Sequence, residues 1–395
     1  MSAPSAYRDH ALPVRAEKVM VRGNTRSTLF VPPAPPYAVR GEGAYVIDQL
    51  GSRVIDANNN YTSLIHGHAR PEVLDAVSGV LTAGTAFGLP TETEVALAEL
   101  LRARTGHERW RFSNSGTEAV MTAVRAARAY TGRDLLVRFE GSYHGTADAV
   151  VSRTAPGVTE GVRADVIELP QGDAEAFERV MAEYGPRVAA VLIDLMPNRA
   201  GLVPADPAFV ALVRETTCAF DTVLIVDEVI SLRLATGGLS ARYGVEPDLV
   251  TAGKIVGGGF PVGAVGGRVD VLSVFDPAAG RHVGWGGTFS ANPVTMTAGR
   301  VAMELFDDAA VEELNGRGEA VRGALLDAGV AVSGYGSLMR IREQVDATRL
   351  WWAGYERGLM IGTNGLIALS TAMDDETLDD LVRAVVEAVA AVRGA

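Results

Sequence analysis

The stretch Val223-Leu224-Ile225-Val226 contains no polar residue and ends on Asp227-Glu228. An unbroken Val/Leu/Ile run offers no polar face to water. It therefore reads as a strand covered on both sides, the situation inside a parallel sheet flanked by helices. The pattern recurs. From about residue 108, short apolar runs alternate with amphipathic stretches of helical period. Arg109–Ser113, Leu135–Phe139, 188–194, Val223–Asp227, 249–252 and 262–266 read as strands. Residues 116–130, 174–183 and 207–215 read as helices. Alternation of this kind predicts an α/β fold with a mostly parallel sheet between helices.

The flanks have a different texture. Residues 1–35 are Pro-rich and lead into Phe30-Val31-Pro32-Pro33-Ala34-Pro35-Pro36, which reads as an irregular, extended arm. Tyr45–Asp48 and Arg53–Asp56 around Gly51-Ser52 read as a β-hairpin. Helical periodicity follows at about 71–83 and 92–104, and helices dominate again from about 294. A strand at 337–342 and a closing amphipathic helix at 376–392 complete the chain. The expected organisation is an arm and part of a small domain over 1–70, a large domain over 71–295, and the rest of the small domain over 296–395. The small domain is then an α+β unit built from both ends of the chain.

Composition removes several classes of function. A net charge of −12 leaves no basic footprint for nucleic acid. The single cysteine, Cys218, allows neither an intrachain disulfide nor a cysteine zinc site, and no metal-ligand spacing is visible. No apolar run reaches the roughly 18 residues of a membrane span. The first ten residues have no apolar signal core, so a cytoplasmic address is expected. The basic residues carry one further clue. Of 36, only Lys18 and Lys254 are lysine. A GC-rich coding bias explains the skew but not the survival of Lys254, where arginine would serve any simple ion pair. Lysine alone can lose its proton and form a Schiff base with an aldehyde.

Four segments bear on chemistry. Ser113-Asn114-Ser115-Gly116-Thr117-Glu118-Ala119 lies where a strand gives way to a helix, and free backbone N–H groups there favour an anion such as phosphate. Taken alone it reads better as a plain Ser/Thr helix cap. Glu140-Gly141-Ser142-Tyr143-His144-Gly145 sets an aromatic beside glycines at a strand's end, where it can stack on a flat ring. A core tyrosine beside a solvated histidine is the equal alternative. Asp227-Glu228 ends a buried strand, where a carboxylate suits a protonated pyridine nitrogen, although a loop acid is again possible. In Thr251-Ala252-Gly253-Lys254-Ile255-Val256-Gly257-Gly258-Gly259 the lysine has apolar flanks, and desolvation makes such an amine a better nucleophile and base.

The order of these segments, followed by Gly287-Thr288-Phe289-Ser290-Ala291-Asn292-Pro293, resembles the class III aminotransferases, pyridoxal-phosphate enzymes of fold type I. The branches it is most similar to are glutamate-1-semialdehyde aminomutase and the β-amino-acid (β-phenylalanine) aminotransferases. The resemblance runs from about residue 20 to the end. It implies that Lys254 holds pyridoxal 5'-phosphate as a Schiff base and shuttles the proton. It implies that Asp227 pairs with the pyridine nitrogen, that Val229 and Tyr143 cover the two ring faces, and that Ser115, Gly116 and Thr117 cradle the phosphate. Thr288 would reach the phosphate of a neighbouring subunit, which implies a homodimer with shared sites.

Two features bear on the reaction. Gly23-Asn24-Thr25-Arg26-Ser27 resembles a segment of the β-amino-acid branch whose arginine holds a substrate carboxylate, so Arg26 is the candidate anchor, with a surface arginine as the alternative. The stretch 145–164 lacks the long Gly/Ser-rich lid that the aminomutase uses to retain its intermediate. A missing lid favours product release, hence transamination between an amino donor and a keto acceptor over internal mutase chemistry. One departure stands out. Where the β-amino-acid branch carries a second carboxylate-binding arginine, this chain reads Ile361-Gly362-Thr363-Asn364-Gly365-Leu366. Arg340, Arg342 and Arg233 are the nearest substitutes.

Overall fold

The computed structural model describes residues 5–394 apart from Arg153 and Arg281. The chain divides into two compact units. One comprises residues 71–313, and the other combines the segment up to residue 70 with that from residue 314.

The larger unit is built on seven strands: β1 Arg109–Ser113, β2 Leu135–Phe139, β3 Val166–Leu169, β4 Val188–Ile193, β5 Val223–Asp227, β6 Leu249–Gly253 and β7 Gly263–Gly267. Their order across the sheet is β1-β7-β6-β5-β4-β2-β3. The run from β3 to β6 is parallel throughout. Every residue of β2, β4, β5 and β6 is buried, as unbroken apolar runs require. Only β7 runs the other way, antiparallel to both β6 and β1. The connection from β6 to β7 explains this. It spans only 254–262, and a parallel return needs a crossover of about a dozen residues or more.

Helix Gly116–Thr131 packs its buried Ala119, Val120, Ala123, Val124, Ala126 and Ala127 against sheet residues such as Leu136, Leu192, Ile225 and Leu249. Its start is fixed by the Ser115 cap and by Glu118 folding back onto the residue before that cap. The Ser115 hydroxyl accepts from the Glu118 N–H (3.2 Å), and the Glu118 carboxylate accepts from the Asn114 N–H (2.5 Å). Gly132, at φ 67°, ends it. Helix Pro293–Leu305 also belongs here. Its Ala298 and Ala302 pack on Val73 and Val77 of helix Pro71–Leu81, so the unit extends to residue 313 and not to the expected 295. The change in texture near residue 294 marks the start of a helix and not a domain boundary.

The other unit carries two small sheets. One joins Ala38–Glu42, Tyr45–Asp48, Arg53–Asp56 and Leu359–Met360, and the second joins Val332–Tyr335, Leu338–Ile341 and Leu366–Ala368. The arm differs from its expected irregular form: Ser5–Asp9 and Ala11–Glu17 are helices. The His10 Nδ1 caps the second by accepting from the Leu12 N–H. Buried Tyr7 donates to Asp48 Oδ2 (2.8 Å) and packs on Trp352 and Tyr355. These long-range contacts, invisible in a local reading, order the segment.

One turn of this unit is strained. Asn59, Asn60, Tyr61 and Thr62 all have left-handed backbones, with φ of 49°, 49°, 54° and 75°. Each such residue costs roughly 1–2 kcal/mol outside glycine, somewhat less for asparagine. The surroundings over-determine the turn. Asp56 Oδ1 accepts from the N–H groups of Asn58 and Asn59, Asn58 Oδ1 accepts from the Tyr61 N–H, and Asn59 Nδ2 donates to the Ala368 carbonyl. No helix among the described residues is long and apolar enough to cross a membrane.

Candidate active site

Parallel strands place their carboxyl ends along one sheet edge, and ligands of α/β folds bind there. On this edge β5 ends in Asp227, β6 delivers Lys254 and β4 delivers Asp194. The segment after β2 supplies Tyr143, His144 and Gly145, and the β1–helix junction supplies Ser115, Gly116 and Thr117. Together with Val120, Val229, Ile230 and Val262 they line a cavity of about 220 Å³.

Asp227 is buried and fully engaged. Its Oδ2 accepts from His144 Nδ1 (2.6 Å), and its Oδ1 accepts from the Thr251 hydroxyl (2.9 Å) and the Val229 N–H (3.1 Å). Burial pushes this carboxyl up, but His144, the Val229 N–H and Thr251 outweigh it and hold the group below its ordinary value. Burial pulls the Lys254 ammonium down, opposed by the negative charges of Asp227 and Asp194. Asp194 is pushed up to about 7, by burial first and then by Asp227. The cavity therefore holds one carboxyl kept ionised, one kept protonated up to neutrality, and an amine eased toward its neutral form.

The backbone is shaped around these groups. Lys254 has a left-handed φ of 51°, a strained setting that clusters at functional sites. The following glycines close the turn from β6 to β7: a Cβ on Gly258 (φ 57°) would lie 2.3 Å from the Ala298 carbonyl oxygen. On the opposite wall, a Cβ on Gly145 (φ 97°) would lie 2.5 Å from the Thr117 hydroxyl, and one on Gly116 would crowd Val229 at 3.2 Å. The amides of Gly116 and Thr117 open a helix of 16 residues and have no intrahelical acceptor. Ser115 is thus a helix cap and a cavity residue at once; the two readings of its motif are compatible.

Tyr143 and His144 reverse the bland reading of their motif. Tyr143 is 42% exposed, with the Arg199 guanidinium 4.3 Å from its ring centroid, whereas His144 is 1% exposed. His144 Nε2 is buried with no hydrogen-bond partner among the described residues. Sequence reasoning missed His144 as the partner of Asp227, and also Thr251 and Asp194. His144 and Thr251 lay inside quoted motifs without a role given to them, and Asp194 lay outside every motif.

The remaining candidates lie elsewhere. Thr288 is exposed in the 282–292 loop and is not among the residues lining this cavity. Arg26 belongs to the terminal unit, where it is exposed and donates to Asn60 Oδ1 (2.8 Å). Arg233 is fully buried in the turn Ser231–Leu234, pulled down to about 9 by burial, and does not line the cavity. Arg340 donates to the Asn364 carbonyl (2.9 Å).

The aminotransferase class III family model matches residues 31–389. The chain belongs to the class III aminotransferases. A glutamate-1-semialdehyde 2,1-aminomutase from Thermomicrobium roseum is 42% identical over 298 residues, covering 72% of this chain and 69% of the relative. An omega-transaminase from Sphaerobacter thermophilus is 42% identical with a TM-score of 0.95, covering 98% of this chain and 100% of the other. A β-phenylalanine aminotransferase from Variovorax paradoxus is 34% identical with a TM-score of 0.92, covering 98% of this chain and 94% of the other.

This class III aminotransferase is a pyridoxal-phosphate enzyme of fold type I. The cavity fits that cofactor on its own chemistry. Free helix-terminal amides suit a phosphate, Val229 and Tyr143 in the lining offer apolar and aromatic surface for a flat ring, an ionised buried carboxylate suits a pyridinium, and a desolvated amine suits an aldehyde.

Proposed function

We propose that the enzyme moves an amino group between a carboxylate-bearing amino compound and a keto acceptor in a ping-pong cycle centred on Lys254 and Asp227. The observation that carries this reading is their placement in one cavity, with Lys254 half-buried and its ammonium pulled down by desolvation. Pyridoxal phosphate, when bound, makes the Cα–H bond of an attached amine acidic. Lys254 would hold the cofactor through its Nζ, and the same amine would take up and return the substrate proton. Asp227 keeps the pyridine nitrogen protonated, and the bonds from His144, Thr251 and the Val229 N–H keep Asp227 ionised for that task. Ser115, Gly116 and Thr117 bind the phosphate, Val229 and Tyr143 cover the ring, and Arg26 anchors the substrate carboxylate.

A homodimer with shared sites belongs to the same proposal, with Thr288 serving the neighbouring phosphate. It is supported by the exposure of Thr288 and by a cleft of about 800 Å³ bordered by Gly287 and Ser290, where Phe87 and Leu89 are 53% and 78% exposed. The cytoplasmic address is likewise a proposal, supported by a chain with a single cysteine.

An intramolecular aminomutase is the second reading, favoured by relatives that carry that name. Transamination is preferred because the stretch 145–164 lacks the Gly/Ser-rich text of a lid, and Val150 within it is 3% exposed and packs into the core of the large unit. Incubation with β-phenylalanine should yield more than one equivalent of keto product per active site only when an external keto acid such as 2-oxoglutarate or pyruvate is supplied. Turnover of glutamate-1-semialdehyde with no added donor or acceptor, and no reaction with amine and keto acid pairs, would reverse the preference.

A further inference from the structure

Arg26 is one of 34 arginines, and its setting differs from the ion-paired ones. Arg138, Arg214, Arg268 and Arg393 each meet a carboxylate within 2.9 Å. Arg26 has no acidic partner within ion-pair distance among the described residues. Its Nη1 donates instead to the neutral side-chain amide of Asn60, at 2.8 Å. A neutral acceptor fixes the direction of a guanidinium without cancelling its charge, and the remaining N–H groups stay available in a planar fork.

Asn60 is itself held in an unusual place. It is the second of four consecutive left-handed residues, a conformation that costs energy and persists only when its surroundings enforce it. The same turn grips the arm a second time. Tyr61 donates from its hydroxyl to the Thr28 carbonyl (2.6 Å), and Thr363 donates to that carbonyl as well (3.1 Å). Thr363 lies in the segment where the β-amino-acid branch would carry a second arginine. The strained turn and this segment therefore converge on residues 26–28 of the arm.

We infer that Asn60 is a positioning residue for substrate specificity: the left-handed turn presents its amide to Arg26 and holds that guanidinium in one direction with its charge unneutralised, open to a carboxylate. This rests on the reading of Arg26 as the carboxylate anchor. It predicts that the side chain at position 60 must be a neutral acceptor. A carboxylate there would hold Arg26 as firmly but compete with the substrate for its charge.

The test compares β-phenylalanine with 1-phenylethylamine, which is the same amine without the carboxylate. The readout is the ratio of the two kcat/KM values in the wild-type holoenzyme, Arg26→Ala, Asn60→Gly, Asn60→Asp and the double variant Arg26→Ala/Asn60→Gly. Glycine accepts the left-handed backbone, so Asn60→Gly removes the amide without adding strain. The ratio should fall roughly three- to tenfold in Asn60→Gly, the worth of one neutral hydrogen bond, and at least as far in Asn60→Asp. The double variant should fall no further than Arg26→Ala alone. A purely structural role for Asn60 would lower both rates and leave the ratio in place, and that result overturns the inference. So does an additive double variant, or an Asn60→Asp ratio at the wild-type level. A wild type without preference for the carboxylate, or an unchanged ratio in Arg26→Ala, refutes the Arg26 reading itself and removes the role of Asn60 with it.

Discussion

Replacing His144 with alanine tests the electrostatic core of the site. The bond lost runs from His144 Nδ1 to Asp227 Oδ2 at 2.6 Å, between groups that are 1% and 5% exposed. Both groups are buried, and a hydrogen bond to a buried charged group is worth about 1.5–3 kcal/mol. Asp227 then keeps two acceptor contacts, from Thr251 and the Val229 N–H. Its carboxyl lies below its ordinary value in the folded chain because those donors and His144 outweigh burial. A group depressed in this way contributes stability that is present above its unfolded pKa, near 3.8, and lost as the pH falls through the folded value. Urea denaturation at pH 7 should therefore show His144→Ala less stable than the wild type by about 1.5–3 kcal/mol. The deficit should persist to about pH 5 and shrink in stronger acid. His144→Asn places an amide N–H where Nδ1 stood and should recover most of the loss. A His144→Ala chain within about 0.5 kcal/mol of the wild type, a deficit that grows in acid, or an asparagine variant as weak as alanine would each refute the reasoning.

Two further expectations concern neighbouring groups. Asp194 has its pKa raised by burial to about 7, so the folded chain binds more protons than the unfolded one between roughly pH 4 and 7, and this contribution to stability is lost as the pH rises through that window. Asp194→Asn should match the wild type near pH 4 and exceed it by up to a few kcal/mol at pH 8; a gap that closes as pH rises would contradict this. Thr288→Ala should weaken cofactor retention, measured by dialysis, and mixed dimers of Thr288→Ala with Lys254→Ala chains should regain one fully functional site per pair. No recovery on mixing would count against shared sites.

Much of the sheet was legible because burial on both faces writes itself into sequence as unbroken apolar runs, and β2, β4 and β5 fall on theirs. Strand direction at β7 was not legible from residue type; it follows from the short 254–262 connection. The helices of the arm escaped because Tyr7 is ordered by Asp48, Trp352 and Tyr355, all distant in sequence. At the site, Lys254 stood out through the scarcity of lysine and Asp227 through its position at the end of a buried strand. His144 did not, since an exposed and a buried histidine look alike in a motif. Asn60 gave no signal at all, because a left-handed turn is a property of the backbone that asparagine permits but does not announce.

The most direct test of the central claim uses the fact that the chain has only two lysines, Lys18 and Lys254. Borohydride reduction of the holoenzyme followed by peptide mass spectrometry locates the amine that holds pyridoxal phosphate. The account predicts the reduced pyridoxyl group on Lys254 and none on Lys18. Labelling of Lys18, or a bound cofactor that borohydride leaves unattached to either lysine, would contradict it.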